Sequence, residues 1–219
     1  MIANSIAFPA SPLQPTQPAR FFLEGERLSA RYGLEITPTH VAQVLNRAKL
    51  KYVIAGAHAA NAYVSRPRTT VDVDVIATQP ERARNALLLE FPELKATTYP
   101  VVIRMLLNGR EAIDVIRPTS SAVFKAAVKN PRTILIGKVP VNVPQLECVL
   151  AMKFASMTTL TRKLPDRMQD AADFAKLVDN NPTIDESRFH QIAELAFEGG
   201  GDEAVKMVAS VRAGKPLQI

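Results

Sequence analysis

The stretch "YVIAGAHAANAYVSRPRTTVDVDVIATQP", residues 52–80, decides the fold. Its centre holds two acids, Asp72 and Asp74, one valine apart and enclosed by Val71, Val75 and Ile76. Those β-branched neighbours favour a strand. On a strand, side chains alternate with period two, so Asp72 and Asp74 share one face while Val71, Val73 and Val75 point into the opposite layer. Adjacent carboxylates repel and raise each other's pKa unless a cation compensates them. Magnesium, a hard cation that takes oxygen ligands and bridges carboxylates to phosphates, is suited to that role. A solvated strand face would carry the same acids without any cation, so the surrounding residues have to decide.

Within "RTTVDVD", Arg68 and Thr70 alternate with the two acids and share their face if the strand begins that early. An arginine there can neutralise phosphate oxygens or form a structural salt bridge. Upstream, "YVIAG" reads as a short strand ending at Gly56, and "AHAANAYV" as a helix that follows directly. A residue without Cβ at that junction lets phosphate approach backbone N–H groups, although glycine turns are also purely structural.

Further out, Thr37-Pro38 offers an N-cap and first-turn proline for a helix carrying Val41, Val44, Leu45 and Ala48. "PERARNALLLE" from Pro80 is a second such helix. "YPVVIRMLLNGREAIDVIRP" reads as two strands joined at Asn108-Gly109, both tolerant of positive φ, which puts Asp114 on the second strand. A helix through "TSSAVFKAAVK" and a hairpin around Gly137-Lys138 follow. From Pro144 the pattern is almost wholly helical, broken at Pro165, Asn180-Asn181-Pro182 and Gly199-Gly200-Gly201. The expected organisation is a Pro-rich extended tail over 1–20, an α/β domain over 21–143 built on a mixed sheet flanked by helices, and a helical part over 144–219.

At 219 residues and 47% hydrophobic composition the chain can bury a sizeable core. The single Cys148, in "LECVLAMKF", excludes an internal disulfide framework and reads as a buried small hydrophobe. Prolines 9, 12, 15 and 18 interrupt the N-terminus, which does not read as a signal peptide. No apolar run approaches the roughly 18 to 20 residues of a membrane span. A cytoplasmic protein with no membrane partner is expected. The 27 Lys plus Arg against 21 Asp plus Glu, net +6, suit a phosphate-rich partner such as a nucleotide or RNA. Few aromatics, 6% with no tryptophan, leave no evident base-stacking platform.

Gly56, then Asp72-x-Asp74, then Asp114 in "EAIDVIRP" resembles the nucleotidyltransferase superfamily that includes DNA polymerase β and the aminoglycoside nucleotidyltransferases. The finer spelling, "GxxA" followed by Arg-x-Thr-x-Asp-x-Asp, resembles its AbiEii-like toxin branch. That branch tends to carry a lysine on the first helix after the catalytic domain and then Arg-x-Lys-Asp-x-x-Asp. Lys153 in "AMKFASM" matches the former, and Arg167, Asp170 and Asp173 in "RMQDAAD" match the latter. Ala57 stands where a second glycine or a serine is expected, and Gln169 where the lysine is expected. The resemblance spans roughly residues 40–178.

The resemblance implies attack by an acceptor hydroxyl on the α-phosphate of a nucleoside triphosphate. Asp72 and Asp74 would hold Mg2+, with Mn2+ as an alternative. Asp114 would share a second metal or take the acceptor proton. Gly56, Ala57, Arg68, Thr70, Lys153, Arg167 and Asp170 would bind the nucleotide. The acceptor would be an RNA end, such as that of tRNA, or a protein hydroxyl, and an antitoxin would be the partner of a toxin. Lys153 could instead pack its stem on the core, and Arg167 could pair with Asp170 as helix-surface support. His58, beside Gly56, reads as a helix-start histidine or a substrate contact. A catalytically silent module that senses nucleotide or binds a partner is the rival, favoured by Ala57 and Gln169.

Overall fold

Val73 and Val75 are fully buried, as the alternation foretells, and with Ile76 and Ala77, also buried, they place the strand β2 (Val73–Ala77) inside the sheet; Val71, expected in the same layer, precedes the strand and is exposed. Burying each such Val or Ile side chain contributes about 1.5–3 kcal/mol. In the computed structural model, which describes residues 17–217, β2 pairs antiparallel with β1 (Tyr52–Ile54) and parallel with β5 (Arg110–Ile116). β4 (Val102–Leu107) and β3 (Lys95–Thr98) extend the sheet antiparallel beyond β5, in the order β1-β2-β5-β4-β3. The chain is therefore a mixed five-stranded sheet flanked by helices, an α/β fold. The Asn108-Gly109 turn between β4 and β5 takes positive φ at both residues, 54° and 80°, as the hairpin reading requires.

The helix α2 (Pro38–Arg47) is capped by Thr37, whose hydroxyl accepts the His40 N–H, and α4 (Pro80–Glu90) starts on proline. The short helix α3 (Gly56–Asn61) follows β1 directly. α5 (Ala122–Lys129) leads to a separate hairpin of β6 (Arg132–Ile136) and β7 (Val139–Val143), which turns at Gly137. Four helices follow, α6 (Leu146–Thr158), α7 (Leu164–Asn180), α8 (Glu186–Ala193) and α9 (Gly200–Arg212). One continuous cluster of buried side chains runs from Phe22 and Val75 through Phe154 to Phe174 and Phe189.

Two expectations are corrected, and one strand went unread. Residues 17–20, assigned to the tail, open the helix α1 (Gln17–Arg31), while residues 1–16 of that tail lie outside the described residues. Ala19, Phe22, Gly25 and Ser29 bury one side of α1, a helical spacing that the proline-rich approach concealed. The strand carrying the acids starts only at Val73, so Arg68 and Thr70 belong to a loop and share no strand face with Asp74. Strand β3, exposed along its whole length, carries no alternation from which it could be read. Among the described residues no helix is long and apolar enough to cross a membrane.

Candidate functional site

The site begins where β1 ends. The Ala55 N–H donates to the Asp74 carbonyl (2.8 Å), extending the β1–β2 ladder, and the chain then turns at Gly56 with φ +56°. A Cβ at position 56 would lie 1.8 Å from Asp74 Oδ2 and 2.8 Å from its Cγ. Glycine is demanded twice there, by the left-handed backbone and by a carboxylate packed against its Cα.

Asp72 precedes β2 at the end of a loop that two helices hold in place. Buried Asn61 of α3 donates from Nδ2 to the Arg68 carbonyl (2.9 Å) and accepts the Arg68 N–H at Oδ1 (3.0 Å). Ser29 of α1 accepts the Thr70 N–H (3.1 Å), and the Thr70 hydroxyl donates to Asp72 Oδ1 (2.6 Å). Gly25 of α1 lets Asn61 approach, since a Cβ there would sit 2.5 Å from Asn61 Nδ2. Thr70 thus orients Asp72 from the loop rather than from a strand face.

The parallel register sets Asp74 beside Asp114, and the antiparallel register sets Asp114 beside Arg104. Arg104 grips Asp114 with two hydrogen bonds, Nε to Oδ1 (3.1 Å) and Nη2 to Oδ2 (2.8 Å). Its guanidinium pKa is driven up, first by those bonds. Asp114 is buried and does not line the pocket that contains Asp72 and Asp74. The Asp74 carboxyl is pushed up to about 7, foremost by desolvation and then by the charges of Asp72 and Asp114; Lys153 and Arg162 pull it back. Among the described residues no three His, Cys, Asp or Glu side chains gather as a metal-ligand set.

The pocket encloses about 250 Å³. Besides Gly56, Ala57, Thr70 and the two acids, its polar lining includes Arg68, Lys153, Arg162 and Asp170; Ile116, Phe124, Val149 and Met152 supply apolar surface. Its cations are tied into one network. Lys153 Nζ, buried on α6, lies 2.9 Å from Asp170 Oδ1 and 2.7 Å from Asp173 Oδ2, both on α7. Arg68 Nε reaches Asp173 (2.9 Å), and Arg162 Nη2 reaches Asp170 Oδ2 (2.9 Å). Burial raises the Asp173 pKa, yet Lys153 and Arg68 overcome it and hold the carboxyl below its ordinary value. Three cations share two carboxylates, so the network carries one surplus positive charge, set against the Asp72 and Asp74 carboxylates across the pocket.

The structure therefore gathers Gly56, Ala57, Arg68, Thr70, Asp72, Asp74, Lys153 and Asp170 around one pocket. Arg167 lies elsewhere: its Nε donates to the Met157 carbonyl (2.8 Å), tying the start of α7 to the end of α6. It pairs with no carboxylate among the described residues. Gln169 donates to Asp173 Oδ1 (3.1 Å), supporting the network as a neutral amide. Sequence reasoning missed Arg162, an arginine in a short loop with no local pattern, and the junction that Asp173 makes with Arg68. His58 is 1% exposed with neither ring nitrogen hydrogen-bonded; burial pushes its pKa down to about 4, so it is a neutral core residue near Phe22.

No family model and no curated protein matches the chain. Among solved structures it is similar to an antigenic nucleotidyltransferase-like protein from Paracoccidioides brasiliensis, at 16% identity, TM-score 0.49, over 82% of this chain and 92% of that one. It is similar to ANT(2'')-Ia in complex with adenylyl-2''-tobramycin, at 11% identity, TM-score 0.46, over 80% of this chain and 94% of that one. A third similar chain is the Megavirus polyadenylate synthase, at 14% identity, TM-score 0.41, over 84% of this chain and 41% of that one. At these scores the likenesses carry no argument about activity.

Proposed function

We propose that the chain is a magnesium-dependent nucleotidyltransferase that moves a nucleoside monophosphate from a nucleoside triphosphate to an acceptor hydroxyl. The observation that carries this reading is the pairing, in one pocket, of two neighbouring carboxylates with a cationic network. Desolvation and like charge raise the Asp74 pKa, the condition that a bound cation relieves, so the donor set fits a divalent ion. Asp72 and Asp74 would hold Mg2+ or Mn2+, which would neutralise phosphate charge. Asp114, gripped by Arg104, would act on Asp74 through its charge, while a role as metal ligand or base would require it to leave that partner.

The chain's own residues then bind and orient. Arg162, which is 45% exposed at its side chain, and Lys153 would meet the triphosphate oxygens, and Arg68 would add charge from the loop. The Gly56 turn would hold Asp74 in place and present its backbone to the nucleotide, and Phe124 with Met152 would give the base an apolar surface. In the reaction the acceptor oxygen forms a bond to the α-phosphorus, the α–β phosphoanhydride bond breaks, pyrophosphate leaves, and the hydroxyl proton passes to a nearby base. The resemblance to the AbiEii-like branch extends the proposal to a toxin held in check by an antitoxin.

Incubation with α-labelled nucleoside triphosphates, magnesium and total tRNA or cell lysate tests the reading, with Asp74→Asn as control. Label on RNA or protein with wild type alone is the expected result. A second reading, a silent nucleotide-sensing module, is favoured by the commitment of Asp114 to Arg104 and of Lys153 to two acids. Nucleotide binding without any transfer would select it.

A further inference from the structure

Outside this pocket, α1 and the Ser65–Pro67 loop enclose a groove of about 780 Å³. Arg20, Arg27 and Arg31 line it from α1, spaced by seven and four residues and so lying along one side of the helix. Arg66 lines it from the loop. All four are exposed, and none has an ion-pair or hydrogen-bonded side-chain partner among the described residues. Glu24 is the one acid in the lining, and Leu23, Leu28 and Pro67 give it an apolar floor.

Both walls are fixed. α1 is anchored through Phe22 and through Gly25 against Asn61, and the loop through Ser65, whose N–H and hydroxyl both donate to Asn180 Oδ1 (2.9 and 2.8 Å). Arg66 also lines a small cleft with Arg68, and Arg68 in turn lines the carboxylate pocket. The arginines thus form a path from α1 to the site.

We infer that this groove binds the phosphodiester backbone of a single-stranded nucleic acid and leads the strand toward the Asp72–Asp74 pocket. From Arg20 to Arg31 the helix rises about 16 Å at 1.5 Å per residue, which suits a repeating anion and exceeds the reach of one small phosphate or one phosphorylated side chain. Four unneutralised guanidiniums against one carboxylate give the charge complementarity, and apolar side chains between them accept ribose and base surface. The direction of the strand rests on the nucleotidyl-transfer reading; the binding itself does not.

The test is fluorescence anisotropy of a labelled single-stranded oligonucleotide of mixed sequence, as RNA and as DNA, titrated between about 50 and 200 mM salt. The double variant Arg27→Gln/Arg31→Gln should bind about tenfold more weakly, and its log K against log salt should be shallower by about 1.4, the loss of two phosphate contacts. Arg82→Gln/Arg84→Gln, on α4 and away from the groove, should leave both unchanged. Equal weakening by the two doubles would overturn the site in favour of diffuse charge. Undetectable oligonucleotide binding by wild type, or capture of an acidic phosphopeptide in its place, would overturn it too. Arginine-dependent strand binding in a protein that transfers nothing would keep the groove and sink the transfer reading; transfer to RNA indifferent to these arginines would keep the transfer reading and overturn the claim that the groove leads the strand to the pocket.

Discussion

Asp74 Oδ2 stands 1.8 Å from the point that a Cβ on Gly56 would occupy, and Gly56 turns there with φ +56°. The strand acid and the turn glycine are therefore one constraint: neither the carboxylate's position nor the backbone's path can change without the other. The backbone conformation alone disfavours any L side chain, by about 1–3 kcal/mol.

Gly56→Ala should accordingly fold with lower stability and lose the site. We expect a fall in melting temperature of several degrees, since each kcal/mol shifts a domain of this size by about 2–4 °C. Nucleotide transfer should drop by two orders of magnitude or more, on the order of 3 kcal/mol of transition-state binding. Circular dichroism and single-turnover kinetics check it, and near-wild-type turnover would separate Gly56 from the site.

The raised Asp74 pKa gives the apo protein a pH dependence of defined sign. Folded Asp74 binds its proton more tightly than the unfolded chain does, so between its ordinary value near 3.8 and about 7 stability contributed by this group is lost as pH rises. Asp74→Asn should flatten the melting-temperature profile across that window. Magnesium, which favours the ionised form, should stabilise wild type more at pH 8 than at pH 6, reaching about 2.7 kcal/mol at a hundredfold excess over Kd. A magnesium effect that persists unchanged in Asp74→Asn would remove Asp74 from the ligand set.

Lys153 and Arg162 should separate stability from binding. Lys153→Ala strips a buried cation from Asp170 and Asp173 and should cost about 3–5 kcal/mol in chemical denaturation. Arg162→Ala removes a half-exposed partner and should cost no more than about 1 kcal/mol. Both should weaken nucleotide binding, measured by calorimetry. An unaltered affinity in Arg162→Ala would confine that residue to the surface.

Asn61 positions the loop without lining the pocket. Asn61→Ala abolishes both hydrogen bonds to the Arg68 backbone, leaving groups whose desolvation costs about 1–3 kcal/mol. Amide exchange at Arg68 and Thr70 should accelerate while Val75 and Val115 stay protected, and nucleotide affinity should fall with the loop's order. Exchange unchanged at Arg68 would show that the loop is held by other contacts.

Local pattern sufficed wherever neighbours in sequence set the structure. The valine alternation around Asp72 and Asp74, the Asn108-Gly109 turn and the Thr37-Pro38 cap are each read from a few adjacent residues, because strand pleat, positive φ and capping are short-range. The helical face of α1, Ala19, Phe22, Gly25 and Ser29, went unread, because the prolines before it read as an extended tail. What sequence order could not reveal is which charge meets which. Asp173 joins Arg68 across 105 residues, Arg162 finds Asp170 from an irregular loop, and Arg104 takes Asp114 by the register of two strands. The sequence by itself determined the strand and the turn and marked Asp72, Asp74, Arg68 and Lys153 as candidates for a site. The tertiary structure alone decided which of them share a pocket, because ion pairing depends on through-space distance and burial, and only the packed chain sets both.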